Sequence, residues 1–239
     1  TLTNDWELTT GIRYDDYSDF GSTVNPRFAL LWQPSVDFTG KLLYGRAFRA
    51  PSFAEMYTTN NPAQQGNPNL KPETIDTWEL AFDYRVTQNL HLATNLFHYK
   101  AVDKIQIQAL KYQNAGLLEG NGLELETRWK MSTKSSLLAH YSYTKAMDKT
   151  VNHDVGDYPR HSAYLRTDRL LIPNWYLDVQ ALWVADRQRL MGDPRPPVDD
   201  YTTVDLTLRY KNLREGRTNM AFSIRNLFNT DAHEPSLGP

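Results

Sequence analysis

One stretch decides the fold class of this chain: Trp78-Glu79-Leu80-Ala81-Phe82-Asp83-Tyr84-Arg85. Large apolar side chains stand at every second position, and most of the positions between them carry a charge. Successive side chains of a β-strand point to opposite faces, so a period of two indicates a strand. The stretch therefore predicts a strand with one apolar face and one charged face.

The same period recurs along the chain. It is regular at 6–15, 123–129, 204–210 and 220–225, where apolar side chains again alternate with polar or charged ones. It is noisier in six further apolar runs, at about 25–33, 40–48, 90–102, 135–146, 161–170 and 175–186. Together with 78–85, these segments predict an all-β chain of eleven strands.

The connections between these strands alternate between short and long. The short ones are 34–39, 87–89, 132–134, 172–174 and 213–217. The long ones are 17–24, 49–75, 103–121, 147–160 and 187–200. Tight turns at one rim and long loops at the other are typical of outer-membrane barrels, whereas soluble β-sandwiches show no such alternation. The pattern favours an antiparallel transmembrane β-barrel in the outer membrane of a Gram-negative bacterium.

Tryptophan and tyrosine mark both ends of the predicted strands. Beside short turns or the chain start lie Trp6, Trp32, Tyr84, Trp129, Trp175 and Tyr210. Beside long loops lie Tyr14, Trp78, Tyr143, Trp183 and Tyr201. These residue types collect at the two interfaces of a bilayer, so we expect the short turns at the periplasmic rim and the long loops outside. The alternative is a soluble β-sandwich, a lectin or adhesin, that packs its aromatic residues in one core.

The overall composition bears on other classes of protein. No apolar run approaches the ~20 residues that a transmembrane helix needs, and the mean hydropathy is -0.61. Barrel strands face lipid only at every second residue, so they are compatible with this composition. A formal net charge of -2 predicts no bulk attraction to nucleic acid. The chain has no cysteine, which removes disulfides, thiol catalysis and thiolate metal sites.

The charged faces of the strands predict a wet interior. Burying unpaired carboxylates in a packed core costs several kcal/mol each, so these faces do not fit a soluble core. A wide barrel with a polar lumen or a polar plug accepts them, with the charges paired to the plug and to one another. A passive porin would share this pattern and stays an alternative.

Four motifs carry a resemblance to a known family. They are Ala47-Phe48-Arg49-Ala50-Pro51-Ser52-Phe53-Ala54-Glu55-Met56-Tyr57, Gly66-Asn67-Pro68-Asn69-Leu70-Lys71-Pro72-Glu73, Glu119-Gly120-Asn121-Gly122-Leu123-Glu124 and Ile224-Arg225-Asn226-Leu227-Phe228-Asn229. Together they resemble the barrel motifs of TonB-dependent outer-membrane receptors. The matches are spread over nearly the whole chain, and their combination is what makes them specific.

The resemblance implies a barrel of about 22 strands that is occluded by an N-terminal plug. It implies import of a ferric siderophore, haem or cobalamin, with energy from the inner-membrane TonB complex. Residues 1–239 would then be the C-terminal portion of the barrel, without the plug, the first barrel half and the last strand. An odd count of eleven strands and an end at Leu237-Gly238-Pro239 inside a long loop support this expectation, since bacterial single-chain barrels have even counts. Free strand edges would make such a piece prone to aggregation.

One departure from the family pattern bears on the cargo. Haem-importing members carry a histidine between the first two boxes, and residues 52–66 of this chain contain none. Neutral imidazole is a common axial ligand of haem iron, so siderophores are expected ahead of haem. The ligand would be a ferric chelate, and no resident cofactor is expected. The other expected partners are outer-membrane lipid, lipopolysaccharide and, through the plug, the TonB complex.

Residues of the predicted outer loops are the candidates for ligand contact: Arg49, Tyr57, Arg187, Arg189 and Arg195. Guanidinium forks suit oxyanions, so the basic loop 187–195 could attract an anionic ferric chelate or lipopolysaccharide phosphates. The alternative for this loop is local ion pairing with Asp186 and Asp193. Tyr57 could ligate iron in principle, although a loop tyrosine more often packs or forms hydrogen bonds.

The first two motifs also have a structural interpretation. Pro51 lacks an N–H and restricts Ala50, so the strand is expected to end here. The proline and asparagine residues at 60–72 predict an ordered loop rich in turns. On this interpretation the motifs shape the loop, and they do not themselves select the ligand.

Catalytic and metal-site alternatives rest on few residues. His140 and Ser142 share a strand face, and with Asn152 they are similar to the His–Ser–Asn set of outer-membrane phospholipases. The tight local motif of those enzymes is missing, so we expect no enzyme activity. His153-Asp154 and His233-Glu234 are isolated pairs without a third ligand in view, and no metal site is expected.

Overall fold

A computed structural model describes residues 4–213 and 218–234. Within them the elements are, in chain order, β1 (Trp6–Tyr17), β2 (Gly21–Ser35), β3 (Phe38–Arg49), α1 (Phe53–Tyr57), β4 (Glu73–Thr87), β5 (Leu90–Gln108), β6 (Lys111–Ser132), β7 (Ser135–Asp148), β8 (His153–Asp154), β9 (Pro159–Ile172), β10 (Trp175–Arg187), β11 (Tyr201–Leu213) and β12 (Thr218–Ile224). All eleven predicted strands are confirmed, and β8 is a further strand of two residues. In the described part of the chain, no helix has the length and apolar character to cross a membrane.

Strands that are neighbours in sequence are also neighbours in the antiparallel sheet. The hydrogen-bonded order is β1-β2-β3-β4-β5-β6-β7-β9-β10-β11-β12, and β8 pairs with β7. The register places aromatic residues opposite each other near the short turns. Trp6 faces Trp32, with ring centroids 5.6 Å apart, and Trp175 faces Tyr210 at 5.0 Å. The predicted clustering of aromatic residues at strand ends is thus present as direct cross-strand pairs.

Two connections are much shorter than the sequence predicts. β5 and β6 continue through 103–121 and meet in a turn at Ala109 and Leu110, both with positive φ (49° and 65°). Between β1 and β2 only 18–20 are outside the strands. The predicted long loops at 103–121 and 17–24 are therefore wrong. The strands stay paired beyond the point where the apolar alternation ends, so the alternation alone makes each strand too short and each loop too long. The turn residues Ala109 and Leu110 also lack the Asn-Gly sequence that marks many two-residue turns.

The other described connections agree with the prediction. Long connections lie at 50–72, which contains α1, at 149–158, which contains β8, and at 188–200. Short turns lie at 36–37, 88–89, 133–134 and 173–174. Most of the predicted turn at 213–217, and the chain end at 237–239, lie outside the described residues.

The chain forms two compact units. Unit 1 contains Thr1–Ala81, Leu96–Asn121 and Lys145–Val155, and unit 2 contains Phe82–Asn95, Gly122–Thr144 and Gly156–Pro239. Among the described residues of unit 1, the buried apolar side chains are Met56, Leu70, Ile105 and Ala146. In the described part of unit 2 they are Val184, Ala185 and Val198. Since a soluble β-sandwich buries its strand aromatics in one core, this sparse burial contradicts the sandwich alternative.

Alternation along the strands of unit 2 gives the sheet two different faces. One face, called the polar face, carries polar and charged side chains of β9, β10 and β11 that the register sets side by side. They are Arg166, Asp168, Asp178, Gln180, Asp205 and Arg209. The apolar face carries Leu165, Val179, Ala181, Leu206, Phe222 and Ile224. An apolar face toward lipid and a polar face toward the lumen is the pattern of a transmembrane barrel wall.

Candidate functional site

The loop 50–72 of unit 1 folds around a small core of its own. Met56 and Leu70 are each 2% exposed and pack with the buried Ile105 of β5, and Tyr112 of β6 packs against them. The helix α1 supplies Met56 to this core. The loop is therefore an ordered structure anchored on two strands, as its turn-rich sequence predicts.

A capping box starts the helix α1. The Ser52 hydroxyl accepts a hydrogen bond from the Glu55 N–H at 3.2 Å, and the Glu55 carboxylate accepts one from the Ser52 N–H at 2.7 Å. These reciprocal bonds satisfy backbone donors that a helix start leaves free. The strand β3 ends at Arg49, as expected before Pro51.

Arg49 connects this helix to the strand that follows the loop. Its guanidinium donates to both carboxylate oxygens of Glu55 at 3.0 Å, and to those of Glu73 at 2.9 and 2.7 Å. Glu73 also accepts from the Ile105 N–H at 2.6 Å. Burial pushes the pKa of Glu55 up, but the hydrogen bonds from Arg49 and Ser52 outweigh it and lower that pKa. Arg49, a candidate for ligand contact, is thus engaged in holding the loop.

Two aromatic rings of α1 face outward. Phe53 is 74% exposed and Tyr57 is 49% exposed, with ring centroids 6.1 Å apart. Their backbone is fixed by the capping box and by the buried Met56 between them. The sequence predicts Tyr57 as a contact residue from its place in the long loop 49–75. Phe53 is not predicted, although its position four residues earlier on a helix puts it on the same side.

The second motif closes the loop. The side-chain amide of Asn67 donates to the Tyr112 carbonyl at 2.9 Å, and its oxygen accepts from the Asn69 N–H at 3.1 Å. A Cβ on Gly66 would lie 2.6 Å from the Met56 oxygen and from a further backbone nitrogen, so only glycine fits. These contacts confirm that the motif shapes the loop.

Arg187 of unit 2 is completely buried. Its guanidinium donates to the carbonyls of His233 and Asp199, lies 4.7 Å from the Tyr201 ring centroid and is 3.4 Å from the Glu234 carboxylate. These contacts fasten the segment after β12 to the start of β11. Direct contact between Arg187 and a ligand would require this packing to open.

The other two arginines of the basic loop pair locally. Arg195 forms a two-pronged hydrogen bond with Asp193, with its closest approach at 2.6 Å, and Arg189 donates to the Pro196 carbonyl at 2.7 Å. The hydrogen bonds from Arg195 lower the pKa of Asp193 to about 2. Asp186 accepts from Arg160 at 2.9 Å. The predicted local pairing is confirmed for Asp193, whereas Asp186 pairs with Arg160 of β9 and not with an arginine of the loop. Contact with a ligand stays a prediction.

The polar face of unit 2 holds a network of paired charges. Asp178 is 2% exposed and accepts from Arg166 at 2.6 Å and from Gln180 at 2.7 Å, while Asp168 accepts from Arg209. A cavity of about 760 Å³ opens here, lined among others by Arg85, Arg128, Lys130, Arg166, Arg209 and Lys211. Paired charges of this kind fit the wall of a hydrated lumen, because water there spares the carboxylate and guanidinium groups the full cost of desolvation.

The remaining motifs also have structural roles. Asn226, with φ at 49°, donates to the Thr230 carbonyl and accepts from the Thr230 N–H, both at 2.8 Å. Its backbone N–H donates to Asp205 at 2.8 Å. In unit 1, the Tyr99 ring lies directly over Gly120, where any Cβ would collide with it.

Comparison with known proteins gives the family. The family model described as TonB dependent receptor-like, beta-barrel, matches residues 1–227. The chain belongs to the TonB-dependent receptor family. Proteins of this family lie in the outer membrane, so the two-faced sheet of unit 2 is part of an outer-membrane barrel wall.

Relatives of this receptor chain carry the names of several cargo classes. It is 24% identical over 265 residues to the heme/hemopexin utilization protein C of Haemophilus influenzae, covering 92% of the chain and 37% of that protein. It is 32% identical over 111 residues to the vitamin B12 transporter BtuB of Vibrio cholerae, covering 46% of the chain and 17% of that protein. The chain spans less than half the length of these relatives.

Solved structures of siderophore receptors share the fold. The ferric enterobactin receptor PfeA of Pseudomonas aeruginosa superposes with a TM-score of 0.81 at 18% identity, over 95% of the chain and 38% of that receptor. The siderophore receptor PirA of Acinetobacter baumannii gives 0.78 at 18% identity, over 95% and 40%. The antiparallel barrel fold is confirmed by these likenesses.

The enzyme alternative finds no support in the receptor fold. His140 and Ser142 stand on β7 opposite Tyr164 and Ser162, on the polar face and away from lipid. Among the described residues, no hydrogen bond joins His140 to Ser142. Asn152 occupies a turn position with φ at 52°. A phospholipase arrangement would need these groups in contact and facing the membrane.

Several residues that build the site were not singled out from sequence. Glu55 and Glu73, the partners of Arg49, could have been found in part from the Ser-x-x-Glu spacing of a capping box. The buried Asp178 had no sequence signal beyond its place on a charged strand face. No cluster of three or more potential metal ligands occurs among residues 4–213 and 218–234.

Proposed function

We propose that this receptor captures a ferric siderophore at the cell surface and imports it by a TonB-dependent mechanism. The observation that carries the proposal is the anchored loop 50–72, which presents Phe53 and Tyr57 as an exposed aromatic pair. Rigid aromatic surfaces bind planar aromatic groups at a low entropy cost. Many ferric chelates are anionic and carry aromatic groups, which suits this pair.

Two arginines of the loop 188–200 are the candidates for attracting an anionic cargo. Arg189 and Arg195 share this loop with Asp193, Asp199 and Asp200, so the loop as a whole has no positive excess. Their attraction for an anion is therefore local and acts within a Debye length. We propose that Arg189 and Arg195 draw in the chelate or lipopolysaccharide phosphates, and that Arg49 and Arg187 hold their segments in shape.

The alternatives within the family are haem and cobalamin. The absence of histidine from 52–66 argues against haem, because no imidazole is available there for axial ligation. The iron chelate would be cargo and not a resident cofactor. A passive porin would need no energy source, so dependence of uptake on TonB separates it from this proposal.

We propose that the complete receptor is longer than these 239 residues. The alignments that span nearly all of the chain cover 37–38% of the length of the relatives, which fits a receptor that also has a plug in contact with TonB. We propose that the connections 50–72, 149–158 and 188–200 face outward and that the short turns face the periplasm. Cargo would pass when the plug rearranges.

Growth on defined iron sources tests the proposal. A strain with the complete gene should grow on at least one ferric siderophore that does not support the deletion strain. Replacing Phe53 and Tyr57 with alanine should weaken binding of that siderophore by about tenfold or more, since a lost aromatic contact is worth about 0.5–1.5 kcal/mol each beyond its buried area. Phe228→Ala, a change at another exposed aromatic residue, is the control. Equal growth of both strains on every chelate would contradict the proposal.

A further inference from the structure

The cavity of about 760 Å³ on the polar face of unit 2 carries an excess of positive charge. It lies at the end of the sheet that holds the short turns, because the turn 88–89 and Ser136, just after the turn 133–134, belong to its lining. Among the described residues, Asp168 is the only carboxylate that lines it. The cations that line it are Arg85, Arg128, Lys130, Arg166, Arg209 and Lys211. A cavity of this size is within the range of small-molecule sites.

Ion pairs hold two of these cations in place without occupying all of their donors. Arg166 donates its Nε–H to the buried Asp178 at 2.6 Å, and no acceptor among the described residues takes its terminal N–H groups. Its side chain is 43% exposed, so these groups are open to a ligand. Arg209 is fastened by Asp168 of β9. A guanidinium that is already held in position binds an oxyanion with little further loss of side-chain entropy.

Two lysines add charge that no ion pair balances. Lys130 and Lys211 are exposed, and neither forms an ion pair with a carboxylate of residues 4–213 and 218–234. Lys211 instead lies over the Tyr176 ring, with its Nζ 4.2 Å from the ring centroid. Arg128, which shares a strand face with Lys130, differs in pairing with Glu126 at 2.8 Å. The two lysines therefore leave the cavity positive after its ion pairs are counted.

The arrangement of the cations indicates the chemistry of a ligand. They come from four strands, β4, β6, β9 and β11, and surround one concave space. A concave surface with charges of one sign raises the local concentration of ions of the opposite sign. An anion with a single oxyanion group would engage only one fork or one ammonium group. The matching ligand is therefore a compact anion that carries several oxyanion groups.

We propose that this cavity is an anion-binding site that holds the anionic cargo at the end of its passage, before release into the periplasm. The nature of the anion rests on the proposed function, which makes the cargo anionic and sets the short turns at the periplasmic rim. On β10 and β11 the cavity lies at the opposite end from the connection 188–200, so it is separate from the outer loops. An acidic segment of the plug is the competing occupant, and it would exclude a small anion.

Anion binding to the complete receptor tests this site. Inorganic tripolyphosphate is titrated into the purified receptor and followed by calorimetry at low and high salt. The double variant Lys130→Gln with Lys211→Gln, called the cavity variant, should bind about 2–30-fold more weakly, the value of two screened charge pairs. Added salt should weaken binding to the wild type. The control variant, Lys134→Gln with Arg169→Gln, removes two exposed charges at the same end of the sheet but outside the cavity, and its binding should match the wild type.

Uptake by cells supplies a second readout. In cells that contain TonB, the cavity variant should import the ferric siderophore more slowly than the wild type, by a factor similar to its loss of tripolyphosphate binding. Siderophore binding to cells that lack TonB reports the outer loops, and it should be the same in the wild type and the cavity variant. Loss of both uptake and surface binding would overturn a role that is confined to the end of the passage.

The outcomes separate the anion site from the proposed function. Equal tripolyphosphate binding by the cavity variant and the control variant would overturn the site, as would a wild-type receptor that binds none, which is the result expected if the plug fills the cavity. Unchanged uptake in the cavity variant would overturn its role in transport. Binding that depends on the cavity, in a receptor that imports no siderophore, would contradict the proposed function alone. Heat-modifiable migration of each variant on gels confirms that the barrel is folded.

Discussion

The contacts of Arg49 make a quantitative prediction for the loop 50–72. Arg49→Met keeps an apolar stem but removes four hydrogen bonds to Glu55 and Glu73. Arg49 is 47% exposed on its side chain, so solvent screens both ion pairs. Each screened ion pair contributes about 0.2–1 kcal/mol to the stability of the loop. The carboxylates of Glu55 and Glu73 would also lose the hydrogen bonds that Arg49 donates. We expect the free energy of local opening to fall by about 1–2 kcal/mol.

Hydrogen exchange measures this change directly. The Met56 N–H donates to the Ser52 carbonyl at 3.0 Å and the Thr58 N–H to the Ala54 carbonyl at 3.1 Å, so both amides report opening of the helix. Their exchange should become about 5–30-fold faster in the variant.

A matched control and a refuting result complete the test. Arg195→Met removes an ion pair from a different exposed loop and should leave these amides unchanged. Exchange of the helix amides within about twofold of wild type in Arg49→Met would refute the role of Arg49, since a twofold change corresponds to only about 0.4 kcal/mol.

The lowered pKa of Glu55 sets the pH dependence of the same loop. A carboxyl group whose pKa is lower in the folded state stabilises that state above its unfolded pKa, near 4.3 for glutamate. The stabilisation is lost as pH falls through the lowered, folded-state pKa. The protection of the α1 amides against hydrogen exchange should therefore be constant near neutral pH and should fall in acid. In Arg49→Met the loss should begin at higher pH, because the main donor that lowers the pKa is gone.

Three further predictions follow from local geometry. Replacing Ala109 and Leu110 by Asn-Gly should stabilise the β5–β6 hairpin by about 1–3 kcal/mol, because both positions have positive φ; unchanged amide exchange in the hairpin would contradict this. Gly66→Ala should destabilise its loop by about 1–3 kcal/mol and speed its proteolysis, whereas Gly45→Ala, with open space around it, should not. Asp193 should titrate near pH 2 in carboxyl-carbon NMR, with its ion pair lost only as pH falls through that value; a midpoint near 4 would contradict the observed pairing.

The strands could be predicted from sequence because a two-residue period is a direct consequence of strand geometry. The clearest case is Trp78 to Arg85, which lies in β4 as predicted. The hairpin at Ala109 and Leu110 could not be predicted, because its residues lack any preference for positive φ. There, the pairing of β5 with β6 imposes the turn on residues that disfavour it.

The site was predictable where contacts are local in sequence. Pairing of Arg195 with Asp193, two residues away, follows from loop composition. The burial of Arg187 does not, because its partners at 233–234 come from the segment after β12. Nothing in a single sequence places such distant segments together.

Uptake of radioactive iron measures energy-dependent import of a ferric siderophore by this receptor. Cells with the complete receptor are supplied with individual labelled siderophores, and cells lacking the receptor or TonB serve as comparisons. We expect cells with the complete receptor to accumulate at least one ferric siderophore, and we expect this accumulation to be lost in both mutant strains. Uptake that persists without TonB, or a receptor that supports uptake of haem or cobalamin but of no siderophore, would contradict this expectation.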